Sequence, residues 1–373
     1  MNKVCHITSV HRWDDTRIFY KECSSLAKSG WNVTLIATNG SPGMYEGVKL
    51  VVVKNNSTSR IFRATVVAAR ILVKCILEKP NVVHFHDPEL IWVGLILRML
   101  GKKVIYDVHE NLRAQIEDKA WLRFPRLVRL LYGHMEFLSA RFFKIIIAEE
   151  SYATIFSTYN VTPTRVFNYP QVQALQRAGG LSISEVSHNG ILYVGLISRG
   201  RCFVEIVQAL HYLKSQNRSF HLHAVGPIED GLMNFLESMI EFREVKMQIH
   251  FYGRLPVFEA YKLRERCSCA LSLLKPLPNY TRSFSTKIFE YMALGIPFVT
   301  SRFPIYQFIE DEGLGLLCNS EDYLQIAAKI EILMTGGLEI DRMIGNAGEA
   351  VRNKYSWESQ SANLLVLYEE LMK

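Results

Sequence analysis

Thr281 to Pro304 reads T-R-S-F-S-T-K-I-F-E-Y-M-A-L-G-I-P-F-V-T-S-R-F-P, and the rest of the chain falls into place around it. Before it, the apolar run Ala270 to Leu274 predicts a short buried strand, and Pro278-Asn279 predicts a turn. Ser285 and Thr286 are helix-capping residue types, whereas Gly295 and Pro297 end helices, so a helix is expected between them. Its N-terminus offers unpaired backbone N–H groups and a partial positive charge. Lys287 in the first turn opposes that dipole, which makes sense where an anion is seated. Ser285, Thr286 and Lys287 are therefore candidate phosphate contacts, and Glu290, one turn on, can accept hydrogen bonds from a pair of sugar hydroxyls. Phosphate plus ribose points to a nucleotide. An ordinary helix cap followed by a solvated glutamate is the competing reading.

The pattern P-N-Y-x-x-S-x-x-T-K-x-F-E-Y-M-A-x-G-x-P, residues 278–297, resembles the donor-binding motif of the glycosyltransferase family 4 enzymes, in the form found in a bacterial surface-polysaccharide assembly branch. The resemblance implies the GT-B fold: two doubly wound, Rossmann-like α/β domains facing each other across a cleft. The family motif usually carries two glutamates separated by seven intervening residues. Here Glu290 is the second, and Arg282 stands at the first.

With 373 residues, 49% hydrophobic and 21% charged, the chain is long enough for two ordinary domains and has a globular composition. No apolar run reaches the ~20 residues that span a bilayer. The start M-N-K-V-C-H-I-T-S lacks the charged and apolar regions of a secretory signal, so a cytoplasmic protein is expected. Cys5, Cys23, Cys75, Cys202, Cys267, Cys269 and Cys318 form no C-x-x-C pair and read as free core thiols. The net charge of +7 is uneven: residues 1–170 hold 23 Lys+Arg against 14 Asp+Glu, and the remainder 20 against 22. A basic first half calls for an anionic partner, whether nucleic acid, phosphorylated substrate or acidic lipid headgroups.

Val4 to Ser9 predicts a strand, H-R-W-D-D-T-R-I-F-Y-K-E a polar loop entering a helix, and Val33 to Thr38 the next strand. The absence of G-x-G-x-x-G argues against a dinucleotide-dependent dehydrogenase. Residues 15–22, D-T-R-I-F-Y-K-E, resemble the family's acceptor-side loop, which implies acceptor-side roles for Asp15, Thr16 and Arg17. Capping by Asp14 or Asp15, with Arg17 on the surface, is the alternative. Arg60 to Glu78 predicts an amphipathic helix with Arg60, Arg63, Arg70 and Lys74 among aliphatic residues. Trp121 to Lys144 mixes Arg123, Arg126 and Arg129 with Trp121, Leu122 and Phe124. Both fit either a sheet-covering helix with a solvated face or a segment lying on a lipid surface.

Two strands end in clusters on one sheet rim: N-V-V-H-F-H-D-P-E-L with His86 and Asp87, and V-I-Y-D-V-H-E with His109 and Glu110. Metal ligation by His86, Asp87, His109 and Glu110 is disfavoured, because the pairs come from separate strands and lack helical i, i+4 spacing. Contact with sugar hydroxyls or acid–base work is expected instead. The resemblance implies that His109 lies near the donor sugar with Glu110 beside it, and places His86 and Asp87 on the acceptor side.

Residues 171–189 turn polar and Gly-rich and read as a linker. Beyond it, I-L-Y-V-G, L-H-A-V-G and I-H-F-Y-G are three short strands closed by Gly195, Gly226 and Gly253, where a ligand can approach the backbone. L-I-S-R-G-R-C, with Arg199 and Arg201, resembles the loop that clamps the donor diphosphate, and Tyr252, Gly253 and Arg254 lie where the family packs the base. The chain is thus expected to comprise residues 1–170, joined by a returning helix at 356–373, and a donor-binding domain over 190–355. The expected reaction moves a sugar from a UDP- or GDP-sugar to a lipid-linked saccharide at the inner face of the cell membrane, in the assembly of O-antigen, capsule or exopolysaccharide. Retention of configuration is implied by the resemblance. Arg201, Arg199, Gly195 and Lys287 would hold the diphosphate without metal or other cofactor. A nucleotide-sugar epimerase of the same fold, or a non-catalytic membrane-surface or polyanion-binding relative, are the alternatives. Nucleic-acid binding is disfavoured, since the basic residues sit among aliphatics with no stacking platform.

Overall fold

The computed structural model describes residues 2–109, 125–178 and 189–373. Two compact units emerge: Met1–Asn168 with Gln360–Lys373, and Tyr169–Ser359. The first is built on an eight-stranded sheet in the order β3-β4-β2-β1-β5-β6-β7-β8. The strands are β1 (Lys3–Ile7), β2 (Asn32–Ala37), β3 (Gly43–Tyr45), β4 (Val48–Val52), β5 (Val82–Phe85), β6 (Lys103–Val108), β7 (Lys144–Ile147) and β8 (Thr164–Arg165). All neighbours run parallel except β3 against β4. Strand order reverses between β1 and β5, so the loops after Ile7 and Phe85 flank the switch point where such sheets bind ligands.

Alternation along the central strands decides what each sheet face does. Cys5, Ile7, Val83, Phe85, Tyr106 and Val108 join one apolar cluster with Ala68, Ile71, Cys75 and Leu97 of the covering helices. The intervening residues His6, His84 and Asp107 are buried as well, on the opposite face. Parallel strands covered on both sides normally read as continuous apolar runs. Here the second face is polar, which marks it for chemistry rather than simple packing.

The second unit has a fully parallel six-stranded sheet, β11-β10-β9-β12-β13-β14. Its strands are β9 (Gly190–Val194), β10 (His221–Val225), β11 (Ile249–Phe251), β12 (Cys269–Ser272), β13 (Phe298–Ser301) and β14 (Leu316–Cys318). The order reverses between β9 and β12, so the loop carrying Gly195 and the helix Thr286–Leu294 both belong to the switch point. Gly295 ends that helix in the left-handed region at φ +64°, and the Ile296 N–H returns to the Tyr291 carbonyl at 3.0 Å.

Part of the expected linker is structured. Val172–Ala178 is a helix belonging to the second unit, with Val172 and Leu175 buried and the Gln176 amide donating to the Ala293 carbonyl at 3.3 Å. An i, i+3 apolar pair inside a polar stretch was enough to dock it. Residues 179–188 lie outside the described set. The last helix, Trp357–Met372, contributes Leu364, Leu367 and Tyr368 to buried positions of the first unit. All seven cysteines are buried and free, and no helix among the described residues is long and apolar enough to cross a membrane.

Candidate functional site

In the second unit, the carboxyl ends of β9 and β10 border a pocket of about 280 Å3 lined by Gly195, Gly226, Arg254, Tyr261 and Lys287, among others. Its floor depends on two glycines. Gly226 has φ +144° and donates its N–H to the Gly253 carbonyl at 2.8 Å. A Cβ at Gly226 would come 1.8 Å from the Gly195 carbonyl oxygen. Gly195 has φ +145°, and Nη1 of Arg201 lies 2.6 Å from the point its Cβ would occupy. The guanidinium thus rests on bare backbone, and its Nε is buried with no hydrogen-bond partner among the described residues. A buried donor left open in this way is a feature that an incoming anion satisfies.

The helix Thr286–Leu294 brings the other polar groups. Ser285 occupies its N-cap position, but its hydroxyl pairs with that of Ser272 at 2.8 Å and no side chain caps the helix. Its own N–H donates to the Tyr306 hydroxyl at 2.8 Å. Serine as a cap was expected from its type; the competing partner on β12 takes the oxygen and leaves the helix end open. Lys287 Nζ donates to Glu290 Oε2 at 2.8 Å, and the buried Tyr261 hydroxyl donates to the same oxygen. Burial, reinforced by the neighbouring carboxylate, raises the Tyr261 pKa well above the ordinary phenol value, so it remains a donor.

The other expected donor contacts are placed differently. Arg199 lies over the Phe235 ring at 4.0 Å, and its backbone N–H donates to Glu229 Oε2 at 3.0 Å, so it is engaged away from Gly195. Tyr252 is joined through its hydroxyl to His223 Nδ1 at 2.8 Å, and Gly253 supplies a carbonyl to Gly226. Arg254 and Tyr261, rather than Tyr252, line the pocket. Arg282 is exposed.

In the first unit, Asp15 caps the helical segment Thr16–Cys23, accepting from the N–H groups of Arg17 (2.9 Å) and Ile18 (3.0 Å). Burial opposes its ionisation, but His11 and those N–H groups outweigh it and hold the carboxyl below the usual range. Thr16 is exposed. Arg17 is not at the surface: only 4% exposed, it grips Asp107 through Nε and Nη2, both at 2.9 Å. Asp87 is also buried, its Oδ2 accepting from the Thr8 hydroxyl (2.8 Å) and the Ser9 N–H (2.6 Å). Both were expected to face the acceptor. Both are instead buried, Arg17 against Asp107 and Asp87 against the Thr8-Ser9 turn, and Nη1 of Arg17 has no hydrogen-bond partner among the described residues.

His109 is 2.5 Å from Asp107 Oδ2 through Nε2 and 12% exposed at its side chain, so it is the partly accessible member of this group. His86 lies behind it, with Nδ1 3.4 Å from Asp107 Oδ2, and burial lowers its pKa to about 4. Asp107 carries the negative charge here: burial opposes it, but Arg17 and His109 hold its pKa well below normal. Glu22 is pushed well above normal by burial and by Asp107. Glu110 lies outside the described residues.

Sequence reasoning missed Tyr261 and the members His6, Glu22 and Tyr368 of the buried polar group. The alternation H-x-H (84, 86) and D-x-H (107, 109) signalled one shared sheet face. Glu22 and Tyr368 arrive from helices, which strand alternation cannot place.

Residues 16–167 match the model of Glycosyltransferase Family 4, and residues 184–351 that of Glycosyl transferases group 1. A glycosyltransferase from Rickettsia africae shares the fold at TM-score 0.76 and 15% identity, over 100% of this chain and 99% of that one. Anabaena HepE in complex with UDP gives 0.73 and 12%, over 99% and 100%. WaaG, a glycosyltransferase involved in lipopolysaccharide biosynthesis, gives 0.66 and 16%, over 97% and 99%. No curated protein sequence matches significantly.

Proposed function

Because this chain belongs to the glycosyltransferases of the family 4 type with the GT-B fold, its two halves matching the two halves of that architecture, we propose that the pocket beside Gly195 binds a nucleotide diphosphate sugar. The observation that carries this reading is a pocket lined by the bare backbone of Gly195 and Gly226 and by Lys287, which is paired with Glu290, with Arg201 resting against Gly195 and its buried Nε without a partner among the described residues. That HepE was obtained with UDP supports the class of donor. In the transfer, the bond between the anomeric carbon and the diphosphate oxygen breaks, the acceptor oxygen bonds to that carbon with retention, and the acceptor proton leaves with the departing diphosphate. Negative charge grows on the diphosphate, where Arg201, Lys287 and the uncapped helix end stabilise it. Lys287 is positioned to turn from Glu290 to phosphate, which frees the carboxylate for the ribose hydroxyls. In the first unit, His109, oriented by Asp107 and partly accessible, is the residue proposed to take part in the transfer.

Glu290→Ala removes charge-assisted hydrogen bonds worth about 1.5–3 kcal/mol, so donor KM should rise roughly 10- to 150-fold. Steady-state kinetics with UDP- and GDP-sugars measures this; an unchanged KM would remove the ribose role. Donor-induced thermal shifts should be the same with and without added Mg2+, and a shift appearing only with Mg2+ would contradict metal-independent diphosphate binding.

The acceptor is proposed to be a lipid-linked saccharide, reached from an anionic membrane surface. Within the helical run 60–78, Val66, Val73 and Leu77 are exposed beside Arg70 and Lys74. Leu130, Leu131, Phe137 and Phe142 are exposed on the helix Pro125–Phe142, which ends with Arg141. Apolar side chains alternating with cations suit an acyl–headgroup boundary. The protein should co-sediment with vesicles containing phosphatidylglycerol and not with neutral ones, and Val73→Glu with Leu77→Glu should weaken that binding at least about tenfold. Equal binding by wild type and the double variant would place the contact elsewhere. Residues 121–124 of the second expected segment lie outside the described set.

A further inference from the structure

We propose that the first unit holds a closed, tetrahedral site for a divalent transition metal of the zinc type, with His6, Glu22, His84 and His86 as its ligands. The register of β1 against β5 sets His6 directly opposite His84, and His86, two residues on, projects from the same face. Glu22 comes down on that face from the segment Thr16–Cys23. His6 Nδ1 is 3.1 Å from His86 Nε2. Glu22 Oε2 is 3.9 Å from His6 Nδ1, 3.9 Å from His84 Nε2 and 3.8 Å from His86 Nε2. One ligand atom from each of the four lies within 4.8 Å of all the others. Ligands at zinc's usual bond lengths of about 2.0–2.1 Å stand about 3.3 Å apart in a tetrahedron, so the cage needs only a slight contraction.

Two further observations point to a cation. Both oxygens of Glu22, and Nε2 of His84, are buried without a hydrogen-bond partner among the described residues. Arg17 Nε flanks Oε1 at 3.0 Å, which leaves Oε2 aimed into the imidazoles. With Oε1 met by Arg17, the oxygen left without a positive partner is Oε2, and burying it unpaired is costly. In addition, each histidine has its other ring nitrogen held from behind. His84 Nδ1 is 2.8 Å and His6 Nε2 3.2 Å from the Tyr368 hydroxyl, and His86 Nδ1 is 3.4 Å from Asp107 Oδ2. Metal-bound imidazoles are oriented by such outer partners. Three nitrogens and one oxygen suit zinc, cobalt or nickel rather than calcium or magnesium. Four protein ligands without solvent access make the site structural, a clamp joining β1, β5 and Thr16–Cys23 beneath the helix that carries Tyr368. The sequence pointed away from metal because it offered His86, Asp87, His109 and Glu110 as the set; the structure gathers another one.

The full chain, purified without added metal, is expected to carry about one zinc-type ion per molecule by mass spectrometry of its elements. Stripped with chelator, it should take up Co2+ with the intense visible absorption of a tetrahedral site, and Zn2+ but not Mg2+ should raise its Tm. Glu22→Gln and His84→Ala should lose the cobalt spectrum. Should these fail to fold, Tyr368→Phe, which keeps all four ligands, should still give the spectrum with affinity lower by about 10- to 100-fold. A wild-type protein that binds no Co2+ tetrahedrally, or a folded Glu22→Gln variant that binds it as wild type does, overturns the proposal.

Discussion

Arg201→Ala should lower kcat for sugar transfer by about 10²- to 10³-fold, the scale set by removal of one preorganised donor from a developing oxyanion. Arg201 is singled out by its setting. Its guanidinium lies against Gly195 where no side chain intervenes, and its buried Nε has no partner among the described residues. An interaction formed mainly as the diphosphate departs acts on kcat more than on KM. Arg201→Lys should recover only part of the rate, since an ammonium cannot reproduce the planar fork. The neighbouring Arg199→Ala provides the contrast. Its side chain is committed to Phe235, so the expected loss is about 0.5–1 kcal/mol of local stability and little activity. Equal kinetic losses in the two variants would show that the loop contributes general positive charge rather than one positioned arginine.

Gly226→Ala should cause the largest loss of stability among single-atom additions near the pocket, with a Tm fall of more than about 10 °C or failure to accumulate as folded protein. The added Cβ would meet the Gly195 carbonyl oxygen at 1.8 Å, a backbone atom that cannot rotate aside. The ends of β9 and β10 would have to separate, and with them the pocket floor. Gly231→Ala separates this clash from backbone preference. Gly231 has φ +77° with no atom within 4 Å of its would-be Cβ, so only the left-handed conformation is penalised, by about 1–2 kcal/mol. Thermal denaturation of both variants decides the matter, and similar Tm values would mean that the glycine pair can relax.

How much of this was legible beforehand depended on how local the information is. The segment from Ser285 to Gly295 carries its own start, its own stop and its charged residues within one helix, so the helix was legible, with Lys287 and Glu290 a turn apart and paired on it. The hydroxyl partner of Ser285 was not legible, because Ser272 is on another strand. Tyr261 reaches Glu290 from the connection between β11 and β12, and nothing in its surroundings distinguishes it from a core tyrosine. Arg17 and Asp87 looked like rim residues because arginine and aspartate are seldom buried. Both are buried, Arg17 paired with Asp107 and Asp87 with the Thr8-Ser9 turn. The β-α-β rhythm was legible throughout, whereas the helix Val172–Ala178 was hidden by polar neighbours.

Tyr368 touches His84 from 284 positions further along the chain and His6 from 362. While a ribosome is still extending residues 169–359, the polar layer over β1 and β5 stays open on one side. The N-terminal portion therefore reaches its final form only after the whole of the second unit has been synthesised. Nonsense or frameshift lesions that remove the chain from Gln360 onward would then leave an early-made half unfinished, exposed to quality-control proteases although both sheets are still encoded.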